Sequence, residues 1–162
     1  MQKLRNALLA LVIAIALTWM PSFTVPSAQA AAEVEFHPGL QFSIAPYGEW
    51  IESQSGAIFS PGHEVLVYYD SLRASSDNNS CPSFSPSTEV TGYVMSDNSG
   101  DIQEFPLVSL DPPAVDFVKF GSFTTPECFQ GSEEIQIWFS GSGDGCFDSD
   151  FGNNYHFPVI CE

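Results

Sequence analysis

Apolar and polar residues alternate in short runs along most of the chain, and clusters of Pro, Gly, Ser, Asn and Asp separate the runs. From Glu64 to Asp70, Val65, Val67 and Tyr69 fall on one side and Glu64, Leu66, Tyr68 and Asp70 on the other. That is the two-residue period of a strand with one buried face. From Glu133 to Ser140, Ile135, Ile137 and Phe139 face one way while Glu134, Gln136 and Trp138 face the other. The same β-branched and aromatic character marks Leu40 to Ile44, Gly48 to Gln54, Thr88 to Ser96, Gln103 to Val108, Val115 to Phe120 and Asn154 to Ile160, for a total of about eight strands. Beyond residues 1–30 no window of helical length sustains a 3.6-residue stripe. The pattern predicts an all-β fold, an antiparallel sandwich that buries one face of each of its sheets.

Residues 1–30 read differently. Lys3 and Arg5 form a basic start, Ala7 to Trp19 an apolar run, and Ala28-Gln29-Ala30 a small-x-small cleavage signal, the three parts of a secretory signal peptide. The apolar run falls short of the roughly 20 residues a spanning helix needs. Cleavage after Ala30 leaves residues 31–162 as a single β-sandwich domain, secreted or periplasmic, with no membrane association after cleavage. All 20 acidic residues lie in this part, against only Arg73 and Lys119 of the four basic ones, so its net charge is −18. A field of that sign repels nucleic acid, phosphate and anionic lipid. It serves solubility outside the cell, or it attracts cations; composition does not separate the two.

Cys81, Cys128, Cys146 and Cys161 all fall in the exported part, where an even count reads as two disulfides. Four cysteines allow three connectivities. If Glu133 to Ser140 and Asn154 to Ile160 form a hairpin, Cys128 precedes one strand and Cys161 follows the other, so both reach its open end. Geometry therefore prefers Cys128 with Cys161 and leaves Cys81 to tie Cys146. No Cys-x-x-Cys or Cys-x-x-His spacing supports a metal centre instead. Two loops interrupt the strands: residues 77–83, which include the glycosylation-type triplet Asn78-Asn79-Ser80, and Leu110 to Ala114, where Pro112 and Pro113 forbid ladder donors.

The stretch Gly143 to Phe157 concentrates Asp, Asn and Gly between two apolar runs, as a turn joining strands does. Asp148, Asp150 and Asn153 are candidate ligands for calcium, with Gly152 free to take positive φ. The EF-hand pattern fails, because no Glu stands at position twelve. The reading preferred over calcium is that these side chains bond nearby backbone groups to fix the turn after the cysteine. Aromatic residues are the other candidates. Trp138 shares a polar strand phase with Glu134 and Gln136, and His156 lies on the outward phase of the expected partner strand, so the indole would offer a flat surface to a sugar ring. Trp50, with Tyr47 and Glu49 nearby, is a second such place.

Val67-Tyr68-Tyr69-Asp70-Ser71-Leu72-Arg73, Cys81, Ile135 to Phe139, Gly145-Cys146 and Asp148 to Phe157 together resemble the landmarks of an exported bacterial domain family of unknown function, over Tyr47 to Val159. That resemblance implies a Cys81–Cys146 pair and brings no activity. Asp148 to Phe157 is also similar to the closing motif of starch-binding carbohydrate modules of family twenty-one type, with Asp150 where that pattern has Asn. This shorter likeness covers about ten residues and implies an immunoglobulin-like sandwich that binds carbohydrate.

Catalysis finds no support. None of His37, His63 and His156 sits in a nucleophile or zinc signature, and among 20 carboxylates some pair reaches glycosidase separation by chance. The sequence thus predicts an exported, non-catalytic binding or accessory module for a glycan, without a cofactor unless calcium fills the acidic loop. The alternative is a structural or interaction domain of the cell envelope whose partner is another envelope or extracellular protein.

Overall fold

Strands form where the alternation predicts them. The computed structural model describes residues 37–76, 84–110, 116–128, 132–141 and 145–161, and residues 36–162 pack as one unit. The expected signal peptide, Cys81 with its loop, and the Pro112-Pro113 break lie outside the described residues. Within them run β1 (Gly39–Ile44), β2 (Trp50–Gln54), β3 (Ile58–Ser60), β4 (Glu64–Asp70), α1 (Leu72–Ser76), β5 (Val90–Ser96), β6 (Ile102–Ser109), β7 (Val118–Thr124), β8 (Ser132–Gly141), β9 (Phe147–Asp148), a 3₁₀ turn (Asp150–Gly152) and β10 (Tyr155–Cys161). The fold is all-β. The residues placed inward by sequence are buried: Val65, Val67 and Tyr69 in β4, and Ile135, Ile137 and Phe139 in β8.

Three features correct the sequence reading. The strands number ten among the described residues, because β3 and β9 are only three and two residues long and too short to show a period. The arrangement is mixed rather than wholly antiparallel, since β1 pairs with β4, and β10 with β3, in parallel. The layers are also not two separate sheets. One continuous path, β2-β1-β4-β7-β6-β5-β8-β10-β3, curls on itself so that its halves face each other. Strand β6 makes the bend, pairing with β5 from Ile102 to Leu107 and with β7 at Val108 and Ser109. Two glycines permit it. A Cβ on Gly121 would come within 2.5 Å of the Pro106 carbonyl oxygen, and one on Gly92 within 2.2 Å of the Phe105 ring folded over it.

The chain crosses between the two free edges in one short step, because β2 and β3 are consecutive yet lie at opposite ends of the path. That excursion brings β4 back beside β1 in the same direction, which accounts for the parallel pair. Between the halves Phe42 of β1 meets Phe139 of β8 at 4.7 Å and Tyr155 and Phe157 of β10 at 5.1 and 5.5 Å, all edge-on. Each such pair adds about 0.5–1.5 kcal/mol to the roughly 1.5–3 kcal/mol of burying a large apolar side chain. Strands β8 and β10 pair antiparallel with Tyr155 opposite Ile137, as expected. Cys128 and Cys161 are accordingly joined, with Cα atoms 5.7 Å apart. No cysteine among the described residues is free, and Cys146 is one of them.

Candidate functional site

Arg73 and Lys119, the two basic residues among the described ones, are both consumed by the interior. Arg73 is fully buried, set on the single turn of α1, which Asp70 caps by accepting from the Leu72 amide at 3.0 Å. Its guanidinium is ringed by Trp50, Tyr155 and Phe42 at 5.0, 5.1 and 5.6 Å. Its Nε stands 3.3 Å from Oδ2 of Asp148, and its terminal nitrogens donate to Glu52, to the Tyr155 hydroxyl at 2.9 Å and to the Ile51 carbonyl at 3.2 Å. Asp148 also accepts from the hydroxyls of Tyr69, at 2.8 Å, and Tyr155. Burial pushes the Asp148 carboxyl up, with Arg73 and the two phenols opposing. Burial works against the Arg73 charge, but Asp148, Tyr155 and Glu52 carry its pKa above the ordinary value. Lys119, also buried, donates to the Pro86 carbonyl and to Ser109, and desolvation lowers its pKa. Among the described residues no Lys or Arg is therefore exposed, and the carboxylates are left to dominate the surface charge.

The acidic turn is arranged for folding. Asp148 turns inward and spends both oxygens on Tyr69, Tyr155 and Arg73, so it directs none toward an ion shared with Asp150 and Asn153. The Asn153 side chain donates to the Asp150 carbonyl at 3.1 Å. Asp150, Phe151 and Asn154 all take positive φ, at 45°, 55° and 63°. Asn tolerates that region, whereas a bulky residue there is strained. The result holds Phe151 out at 72 % exposure, parallel to Trp50 at 5.7 Å. Trp50 is thus engaged by Phe151 and Arg73, while Tyr47 stands 95 % exposed in the β1–β2 turn. The structure does not assemble Tyr47 and Trp50 into one platform.

Trp138 lies on the outer face of the half formed by β5, β8 and β10. It is half-buried and stacks on Tyr93, its cross-strand neighbour, with centroids 5.4 Å apart and planes 7° from parallel. The Tyr93 hydroxyl bonds Ser140 at 3.1 Å. One step along β8, Gln136 lies opposite His156 and accepts from the Asn154 side chain at 2.9 Å. His156 is exposed, with Nδ1 3.1 Å from Oε2 of Glu134. The exposed Phe147 and Ile102 lie on the flanking strands β9 and β6. The face thus sets stacked rings beside a row of amides, carboxylates and an imidazole.

Sequence reasoning missed Tyr93, although the alternation of Val90, Val94 and Ser96 places it outward. It missed Arg73 and α1, for which the signal was Asp70 followed by Ser71-Leu72-Arg73-Ala74, a capped turn too short for periodicity. Compared with protein-family models, curated proteins and solved structures, the chain matches none.

Proposed function

We propose that the protein is an exported, non-catalytic glycan-binding module that presents the outer face of β5, β8 and β10 to its ligand. The supporting observation is the Tyr93–Trp138 stack with Gln136, Asn154 and His156 alongside it. A half-buried indole in a rigid pair loses little entropy on binding, and the neighbouring amides supply hydrogen bonds in fixed directions. On this reading the leader is removed after Ala30, Cys81 pairs with Cys146, and the curled sheet serves as the immunoglobulin-like scaffold for the face. A second reading, a durable structural domain of the envelope, draws on the consumption of both cations and most rings by the interior. A thermal-shift screen with soluble glucans, calcium and chelator separates the two. A glycan at 100 times its Kd adds about 2.7 kcal/mol to the folded state, which a melt registers as several degrees. A flat response to every glycan rejects the binding reading.

A further inference from the structure

The outer face carries a second chemistry. Asp97, just past β5, Glu134 on β8 and His156 on β10 bring two carboxylate oxygens and an imidazole nitrogen within 4.8 Å of one another. Paired carboxylates alone mean little on a surface this acidic; the imidazole sets the cluster apart. Its Nε2 lies 3.1 Å from the Asn153 carbonyl oxygen, a group that only accepts, so Nε2 carries the hydrogen. Nδ1 is the ring atom left to face the carboxylates, 3.1 Å from Oε2 of Glu134, a gap that a proton bridges as an ion pair and a metal ion bridges as a pair of ligands.

We propose that Asp97, Glu134 and His156 bind a divalent transition-metal ion of the zinc class. A tetrahedral ion with bonds of about 2.0–2.1 Å places neighbouring ligand atoms roughly 3.3 Å apart, close to the separation of Nδ1 and Oε2. Asp97 is exposed and already brings a carboxylate oxygen within 4.8 Å of the other two ligand atoms. The partners that orient a metal's ligands are in place. Nε2–H donates to a backbone carbonyl, the usual arrangement for a metal-bound histidine, and Gln136 donates to Oδ1 of Asp97 at 2.7 Å, leaving Oδ2 for the ion. Imidazole favours zinc over calcium. The uniformly acidic exterior raises the local concentration of any cation. Three protein ligands leave a fourth position, and a shallow cleft of about 430 Å³ lined by Asp97, Asn98, Glu133, Glu134 and Pro158 lies beside it.

Isothermal titration of the folded, disulfide-bonded protein with Zn²⁺ in chelator-stripped buffer, and with Ca²⁺ in parallel, tests the site. One Zn²⁺ binds per chain, at least about tenfold more tightly than Ca²⁺, and His156→Ala or Glu134→Gln each weakens it at least about tenfold. His37→Ala and His63→Ala leave the affinity unchanged. In nuclear magnetic resonance spectra zinc shifts the His156 Nδ1 resonance while the Nε2–H signal persists. Zinc affinity unchanged in both His156→Ala and Glu134→Gln, or zinc no tighter than calcium, overturns the proposal. Should His156→Ala fold poorly, Asp97→Asn combined with Glu134→Gln supplies the same comparison.

Discussion

Replacing Asp148 with Ala removes the one carboxylate that is fully buried against Arg73, whose side chain is itself fully buried. The remaining acid on Arg73, Glu52, is one-third exposed and neutralises it across a wetter boundary. Leaving a buried charge without its partner costs about 3–5 kcal/mol. The Tyr69 hydroxyl also loses its acceptor, a loss of about 1–3 kcal/mol, and Tyr155 keeps only its bond from Arg73. The expected destabilisation is therefore about 4–8 kcal/mol, a large share of the roughly 5–15 kcal/mol available to a domain of this size. Asp148→Leu combined with Arg73→Met removes both charges and should recover at least half of that loss, because an apolar replacement of a buried pair is often neutral. Urea unfolding followed by tryptophan fluorescence, with the disulfides intact, compares wild type, Asp148→Leu, Arg73→Met and their combination as the four corners of one cycle, with Asp148→Ala measured beside them. A single-mutant cost under about 1 kcal/mol, or additive single mutants, would refute the reasoning, since groups in one network couple by about 0.5–3 kcal/mol.

Three further outcomes follow from the same structure. Burial and Asp148 raise the phenol pKa values of Tyr69 and Tyr155 above the ordinary 10.0, so the folded state holds more protons than the unfolded one in strong alkali. Their contribution is complete below pH 10 and falls above it by about 1.4 kcal/mol per pH unit for each phenol; absorbance at 295 nm should register these two only as the chain unfolds. Cys128→Ser with Cys161→Ser opens a loop of 33 residues and should lower stability by roughly 3–4 kcal/mol in urea melts, with an unchanged midpoint counting against the bridge. Asn154→Ala forces a Cβ-bearing residue without a compensating amide into φ 63° and loses the bond to Gln136, for about 1–2 kcal/mol, whereas Asn154→Gly should recover the backbone part; equal melts for the two variants would contradict this.

The sequence disclosed what periodicity encodes. Strands of five or more residues were legible because Val65-Val67-Tyr69 and Ile135-Ile137-Phe139 alternate over enough positions to define a face. The pairing of Cys128 with Cys161 followed from the β8–β10 hairpin. Closure of the sheet was not legible, because it depends on which of two neighbours β6 joins along its length, and Gly92 and Gly121 signal close approach without naming the approaching strand. The acidic turn was read as a folding device, but the separate role of Asp148 was hidden for a related reason. Asp148 and Asp150 look equivalent in sequence, but β9 sends the first inward to a buried arginine 75 residues upstream and the 3₁₀ turn leaves the second half-exposed at the surface. The outer face was half legible: Trp138 and His156 were placed outward correctly, while the ring that stacks on Trp138 and the carboxylates beside His156 come together only through strand order.

The proposed binding face is tested most directly by following the side-chain N–H signals of Trp138 and Trp50 while a soluble glycan is titrated into the folded protein. The account predicts that the Trp138 signal shifts in proportion to occupancy, that Trp50, held between Phe151 and Arg73, does not, and that Tyr93→Ala weakens the response. Movement of Trp50 alone, or of neither indole at saturating glycan, would contradict it.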